Sequence, residues 1–294
     1  MRVTNMYMVT LAQQANEKNQ STVAQLSQEV SSGLAVSKPS DNPTAWIEAQ
    51  RAKVEQTIND GTGQALQGGL EKINATDGAL STLSQLVSQA QSLAVEGASA
   101  SITSDARADA AQQVTGLLQS ALAAVNTKDV DGTYLLSGTA VNTAPFDATG
   151  TYQGNTATTS VASSGNGTSQ DSLAGSALDA GANSVNIIQT LGDLATALSG
   201  NDVTGIQAQL ANLNTAVSQL ATTRAQVGGM MSALQSAQSA QQSLSTTLTT
   251  SISGLVDADA VQSASNLAQA STALQVSQAV TSKVLALLQP DSSS

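Results

Sequence analysis

From Thr44 to about Glu96 the chain keeps a three-four apolar spacing, through Ile47, Val54, Ile58, Leu66, Leu70, Ile73, Leu80, Leu83, Val87, Ala90 and Ala94, with no proline to interrupt it. That periodicity predicts one continuous helix. At about 1.5 Å per residue it runs roughly 80 Å. A helix of that length is unstable alone in water and needs partners along its side. The segment therefore makes the fold mainly α, an elongated antiparallel helical rod or coiled coil assembled from N- and C-terminal segments.

The partners are readable on both sides of it. Met8, Leu11, Ala15, Thr22, Leu26 and Val30 form a narrow stripe with polar Asn19 in the seam, predicting a first helix that ends at Gly33, a natural left-handed cap. The stretch "SSGLAVSKPSDNPTAW", Ser31 to Trp46, then breaks helix twice before Asn42 and Pro43 restart it as N-cap and first helical residue. After the loop "ASASITSDAR", Ala106, Ala110, Val114, Leu117, Ala121 and Val125 mark a third helix ending near Asn126. The following Gly-, Thr- and Ser-rich region predicts a hairpin near Tyr134 and a small β-containing or loose insert from about Val141 to Asn183. Val185, Ile188, Leu191, Leu194 and Leu198 resume the helical pattern, "SGND" breaks it, and Ile206, Leu210, Leu213, Val217 and Leu220 carry it on. This run reaches about Ile252 with an interruption expected at Gly228-Gly229. A last stripe of Ala260, Ala264, Leu267, Leu274, Val276, Val280, Val284 and Leu287 is stopped by Pro290.

Composition limits what such helices can do. With one Trp, three Tyr and one Phe, packing falls to Ala, Leu, Val and Ile, which suits close helix pairs better than a thick globular interior. Charged residues are 11% of the chain, and Ala225 to Val256 carry none; an average soluble protein has about 25%. A neutral polar face can pack against copies of itself without burying unpaired ions. The net charge of −11 repels phosphate, so neither nucleic acid nor an anionic membrane is an expected partner. No window approaches the roughly 18 apolar residues of a membrane span, so no membrane insertion is expected. The start "MRVTNMYMVTLAQQANEK" lacks the continuous apolar core and cleavage site of a secretory signal.

Catalytic chemistry has few means here. There is no His to serve as base or zinc ligand and no Cys to serve as thiolate. Asp257 and Asp259 lie two apart and do not share a helix face, so they read as helix-start carboxylates. In "TKDVDGTYLLSG", aligning Gly132 to the sharp turn of a calcium loop puts Gly138 where a bidentate Glu is required. That motif is read as a turn before a strand. Trp46, four residues after the Asn42 cap, is read as core or elbow packing. No phosphate-binding loop or nucleophile motif occurs, and the expectation is a non-enzyme with no cofactor and no metal.

"LSQEVSSGLAVSKPSDNPTAW" resembles the N-terminal signature of the bacterial flagellin superfamily, a helix ending in S-S-G followed by an elbow and a second long helix. "SISGLVDADAVQSASNLAQASTALQVSQAVTSKVLALL" is similar to the C-terminal helix of that superfamily, and "TTRAQVGGMM" to the segment before it. Within the superfamily, "MRVTNMY" and "DGTYLLSGTAVNTAPFDATGTYQG" resemble the hook-filament junction proteins, hook-associated protein type 3, more than filament flagellins. Leu135-Leu136 replaces the aromatic that is more usual there.

The resemblance implies a structural subunit of the flagellum with residues 1–40 and 252–294 as inner-core helices, 41–140 and 184–251 as a surrounding helical domain, and 141–183 as the outer insert. It makes Gly33, Pro39, Asp41, Asn42 and Pro43 the elbow between the first two layers. Met8, Leu11, Leu26, Val30, Leu267, Leu274, Val280, Val284 and Leu287 become the expected assembly interface. Implied partners are other copies of the chain, flagellin, hook-associated protein type 1 and a cytoplasmic export chaperone at the C-terminal helix. The implied location is the extracellular flagellum, reached through type III export without a cleaved signal. Two other functions are compatible with the residues: a flagellin forming the filament itself, and a cell-surface adhesin or glycan-binding module acting through the insert.

Overall fold

The computed structural model describes residues 2–163, 167–179, 181 and 184–288, without the side chains of 2–5 and 287–288. Its elements in chain order are α1 (Arg2–Ser32), α2 (Pro43–Gly97), α3 (Ser104–Val125), β1 (Ser160–Ser163), β2 (Gly167–Gln170), a 3-10 turn (Gly175–Leu178), α4 (Ile187–Ser199), α5 (Val203–Val256) and α6 (Ala260–Leu288). The chain divides into two compact units, Met1–Thr57 with Ser245–Ser294, and Ile58–Leu244. Both boundaries fall within α2 and α5. The expected Pro290 stop lies outside the described residues.

The larger unit holds the main core. On α2 the fully buried positions Leu66, Ile73, Leu80, Val87 and Ala94 recur every seventh residue, and on α5 so do Ile206, Leu213, Leu220, Val227 and Leu234. Strict seven-residue spacing keeps one face of each helix toward the other over many turns. The pairing is antiparallel, for Gln91 donates to Asn214, Arg224 pairs with Asp77, and Asn59 meets Gln241. Asn59 continues the α2 series and Gln241 the α5 series, so the core ends in a polar layer. There the Asn59 side chain donates to the Gln241 carbonyl at 3.1 Å and the Gln241 side chain donates to the Asn59 carbonyl at 3.2 Å. Reciprocal bonds of this kind tolerate no slip of one helix past the other.

Helices α3 and α4 pack on each other and close the same core, with Val114 and Ala121 from α3 and Ile187, Ile188, Leu191, Leu194 and Leu198 from α4. Arg107, almost fully buried at the start of α3, clasps two turns together. Its guanidinium donates to the carbonyls of Gly97, the last residue of α2, and of Ser99 beyond it, and to Asn201 Oδ1 between α4 and α5. The break expected at "SGND" is this second turn, where Asn201 takes a left-handed φ of 54°.

Two sequence expectations need correction. The Gly228-Gly229 pair does not interrupt α5, which runs unbroken through it, because tertiary packing of Val227 and Met230 outweighs two poor helix formers. The hairpin expected near Tyr134 is reduced to one antiparallel bridge, and the two-stranded antiparallel sheet lies later, with Ser160 opposite Gln170 and Ser163 opposite Gly167. What occurs at Tyr134 is one of two copies of an Asp-x-x-Gly-Thr-Tyr loop, Asp129–Tyr134 and Asp147–Tyr152. In each, the aspartate carboxylate accepts the amides two and four residues on, and the glycine sits at φ 80° or 81°. Both copies close with a single β-bridge, Lys128 to Tyr134 and Phe146 to Tyr152. The threonine hydroxyl and amide bonds hold Asp147 below the usual carboxylate range.

Glycine substitutions should separate open helix from tight turn. Gly228 has nothing within 4 Å of an added Cβ, so Gly228→Ala should raise stability in urea unfolding by about 0.5–1 kcal/mol. Gly138 has φ +70° and an added Cβ there would crowd Asn155 and Ala157, so Gly138→Ala should lower stability by more than about 1 kcal/mol.

Candidate assembly interface

The smaller unit is built where two chain breaks meet. α1 ends at Gly33, whose φ of 71° turns the chain back and whose amide donates to the Glu29 carbonyl. The strand that leaves it lies against the break between α5 and α6. Ala35 and Val36 donate to the Val256 carbonyl at 2.8 and 3.2 Å, Ala258 donates to the Gly33 carbonyl at 2.8 Å, and Leu34 bridges Asp257. Beneath this bridge Val36, Ala45, Ala49 and Val256 are buried, with Trp46 and Ile252 packed against them. This small apolar cluster is the core of the unit.

The elbow itself is held by one carboxylate. Asp41 Oδ2 accepts the amides of Ser37 and Lys38 and the Ser37 hydroxyl, all within 3.1 Å, and the Lys38 ammonium lies 3.9 Å from Oδ1. Desolvation pushes the Asp41 carboxyl up, but these hydrogen bonds and the lysine outweigh it and hold its pKa below the ordinary value. Asn42 Oδ1 accepts the Ala45 amide at 3.1 Å, and α2 begins at Pro43, as the N-cap reading expects. Across the bridge Asp259 caps α6 through the amides of Val261 and Gln262. Asp257 corrects the paired reading of "DADA": it ends α5 and accepts the Ser253 hydroxyl rather than starting a helix.

Helices α1 and α6 lie along each other, yet their shared seam is thin and polar. The half-buried positions of α1 are Val9, Ala12, Asn16, Asn19, Val23, Leu26 and Glu29. Facing positions on α6 include Ser263, Asn266, Leu267, Ser271, Leu274, Ser277, Thr281 and Val284. Among the described residues of the two helices only Ser263 is fully buried, and its hydroxyl donates to Glu29 Oε1 at 2.6 Å. Asn16 Oδ1 is buried there without a hydrogen-bond partner.

The anticipated interface residues therefore divide. Leu26, Leu267, Leu274 and Val284 are half-buried in the seam, whereas Met8 (56% exposed), Leu11, Val30 and Val280 point away from it. The Leu287 side chain lies outside the described residues. Toward its N-terminus the seam on α1 uses Val9 and Ala12 instead of Met8 and Leu11, one position round the helix, and the larger apolar groups are left outside with Met6, Tyr7, Val276 and Leu285. The short bridge between Leu34 and Asp257 was not foreseen, because pairing between segments so distant in sequence leaves no local periodicity to read.

Because the Asp41 pKa is depressed on folding, its stabilising contribution is complete above the unfolded value and withdrawn as pH falls through the folded one. The single tryptophan, Trp46, is half-buried beside the elbow and reports on it. Its fluorescence should change as pH is taken below about 4, and Asp41→Asn should weaken that acid transition and loosen the elbow at neutral pH. An identical titration in the variant would refute the assignment.

The comparisons agree with this geometry. Residues 3–141 match the bacterial flagellin N-terminal helical region and residues 210–289 the bacterial flagellin C-terminal helical region. No curated protein matches the chain significantly. Among solved structures, a flagellar hook-associated protein from Vibrio parahaemolyticus is similar at 17% identity and a TM-score of 0.68, over 74% of this chain and 100% of that one. Flagellar hook-associated protein 3 from Legionella pneumophila is similar at 12% identity and 0.62, over 70% and 98%. Xanthomonas campestris FlgL in one crystal form gives 17% and 0.60, over 70% and 99%. Flagellins are structural rather than enzymatic proteins, and with both helical regions matched in order over most of its length, this chain belongs to the bacterial flagellin family.

Proposed function

We propose that the chain is a flagellar subunit that joins hook to filament by self-assembly through its terminal helices. One observation carries this reading: α1 and α6 pair through a seam with no fully buried apolar side chain among their described residues, while Met6, Tyr7, Met8, Leu11, Val276, Val280 and Leu285 stay exposed. Apolar groups so placed lose free energy by being covered. Neighbouring copies supply the cover, and Met8, Leu11, Val30 and Val280 belong to that contact while Leu26, Leu267, Leu274 and Val284 set the α1–α6 pairing beneath it.

In this reading residues 1–40 and 252–294 form the inner core of the assembly, 41–140 and 184–251 the layer around it, and 141–183 the outward insert. Gly33, Pro39, Asp41, Asn42 and Pro43 set the angle between the first two. Flagellin and hook-associated protein type 1 are the neighbours on either side, and a cytoplasmic chaperone covers α6 before export to the cell exterior. The names of the similar solved structures favour the junction over the filament, and none of the described helices is long and apolar enough to cross a membrane.

Immunogold labelling of flagella with an antibody to this chain tests the assignment. A band confined to the point where hook meets filament is the expected result. Label along the whole filament would make the chain a flagellin, and label on the cell surface after loss of flagella would make it an adhesin.

A further inference from the structure

The larger unit carries an open cleft of about 570 Å³ that the terminal-helix reading does not use. Its floor is a face of α2 with the small residues Ala65, Gly68 and Ala75 and the carboxylate of Glu71, and its walls are the loop from Lys128 to Thr133 and the segment of Val161 and Asp171. Gly69 lets those walls close on the helix, since an added Cβ would lie 3.1 Å from Asp171 and 3.6 Å from Val161. Gly68 instead faces open space, with nothing within 4 Å of such a Cβ. A helix-interior glycine destabilises by about 1 kcal/mol relative to alanine, and none of the described residues occupies the room it leaves.

The polar groups of the cleft are also short of partners. Asp171 Oδ1 is buried without a hydrogen bond. Of the two lysines, Lys72 bonds the Thr159 hydroxyl at 3.2 Å and its charge reaches Asp129, while Lys128 lies over the Tyr134 ring at 4.6 Å. Among the described residues the ion pairs are Lys38 with Asp41 and Arg224 with Asp77, so neither these lysines nor Asp131 and Asp171 belong to one.

A surface with the opposite character lies on α2 within the smaller unit. Ile47, Arg51 and Val54, at four-three spacing, are exposed in a row, Ile47 by 52% and Val54 by 61%. Glu48 and Glu55 stand one position round the helix from Ile47 and Val54 and are exposed too. Arg51 forms no ion pair among the described residues. The ridge thus offers aliphatic groups to a small-residue floor, a guanidinium to unpaired carboxylates, and carboxylates to unpaired ammonium groups.

We propose that the Ile47–Arg51–Val54 ridge of one copy seats in the Gly68 cleft of a second copy, with Arg51 against Asp171 and Asp131. Resting on the self-assembly reading above, it adds a contact that the terminal helices do not supply. Two different patches meet, so the contact is heterologous and continues from copy to copy, closing as a ring or extending as a helix. Charge complementarity, rather than buried area, sets which ridge enters which cleft. That matters in a chain of net charge −11, whose copies otherwise repel.

The absence of cysteine makes the test clean. Full-length Val54→Cys and Gly68→Cys variants, each folded by circular dichroism, are mixed, brought to polymerising conditions and oxidised. Since each copy carries one thiol, a disulfide between the two variants forms only across copies. The expected result is strong Val54→Cys to Gly68→Cys cross-linking and little with Gln113→Cys, an exposed position on α3, in place of Gly68→Cys. Arg51→Glu in the Val54→Cys copy should cut the yield roughly threefold to tenfold, and Asp171→Lys in the Gly68→Cys copy should restore part of it. Polymers that form with no more cross-link than the Gln113→Cys control overturn the proposed contact and leave assembly through the terminal helices standing. Failure to polymerise at all overturns both.

Discussion

The constraint on which this protein turns is how little apolar area α1 and α6 bury against each other. A fully buried Leu, Ile or Val contributes about 1.5–3 kcal/mol, and ordering one backbone residue costs about 1–2 kcal/mol. A pair of helices 31 and 29 residues long therefore needs many buried apolar groups to stand alone. Its seam instead holds Asn16, Asn19, Ser263, Ser271 and Ser277 among half-buried leucines and valines. The unpartnered Asn16 carbonyl oxygen adds a further penalty. Such a pair is completed by what covers it, and the exposed Met6, Tyr7, Met8 and Leu11 are the groups available for covering.

The larger unit has solved the same problem internally. Ten fully buried residues at seven-residue spacing on α2 and α5, five from each, meet α3 and α4 in one core, and Arg107 secures the turns at one end of it. Its polar layer of Asn59 and Gln241 fixes register, a use of buried polar groups that trades some stability for a unique alignment. The elbow in the smaller unit does comparable work with backbone bridges and one aspartate. Stability is thus concentrated in the larger unit and at the elbow, while the terminal helices hold their apolar residues in reserve.

The helices and the elbow were legible in the sequence because their signals are local. Asn42 followed by Pro43, the left-handed Gly33 and the "SGND" break each mark a boundary through the conformation of one or two residues. The direction in which α1 faces was not, because Met8, Leu11 and Val30 form as good a stripe as Val9, Ala12 and Val23, and only the position of α6 decides between them. Gly228-Gly229 misled for a related reason, since propensity is local and the packing of Val227 and Met230 is not. The Asp-x-x-Gly-Thr-Tyr loop was visible as a repeat in the letters, at Asp129 and again at Asp147. Its hydrogen bonds explain why those residues recur, and a search for internal repeats would have found it.

Amide hydrogen exchange on the purified full-length chain at high dilution, read residue by residue, tests the central claim most directly. Exchange through α1 and α6 should be fast there and should slow by orders of magnitude on polymerisation, while α2 and α5 between Ile58 and Leu244 stay protected in both states. Strong protection along α1 and α6 in the dilute monomer, equal to that of the larger unit, would contradict it.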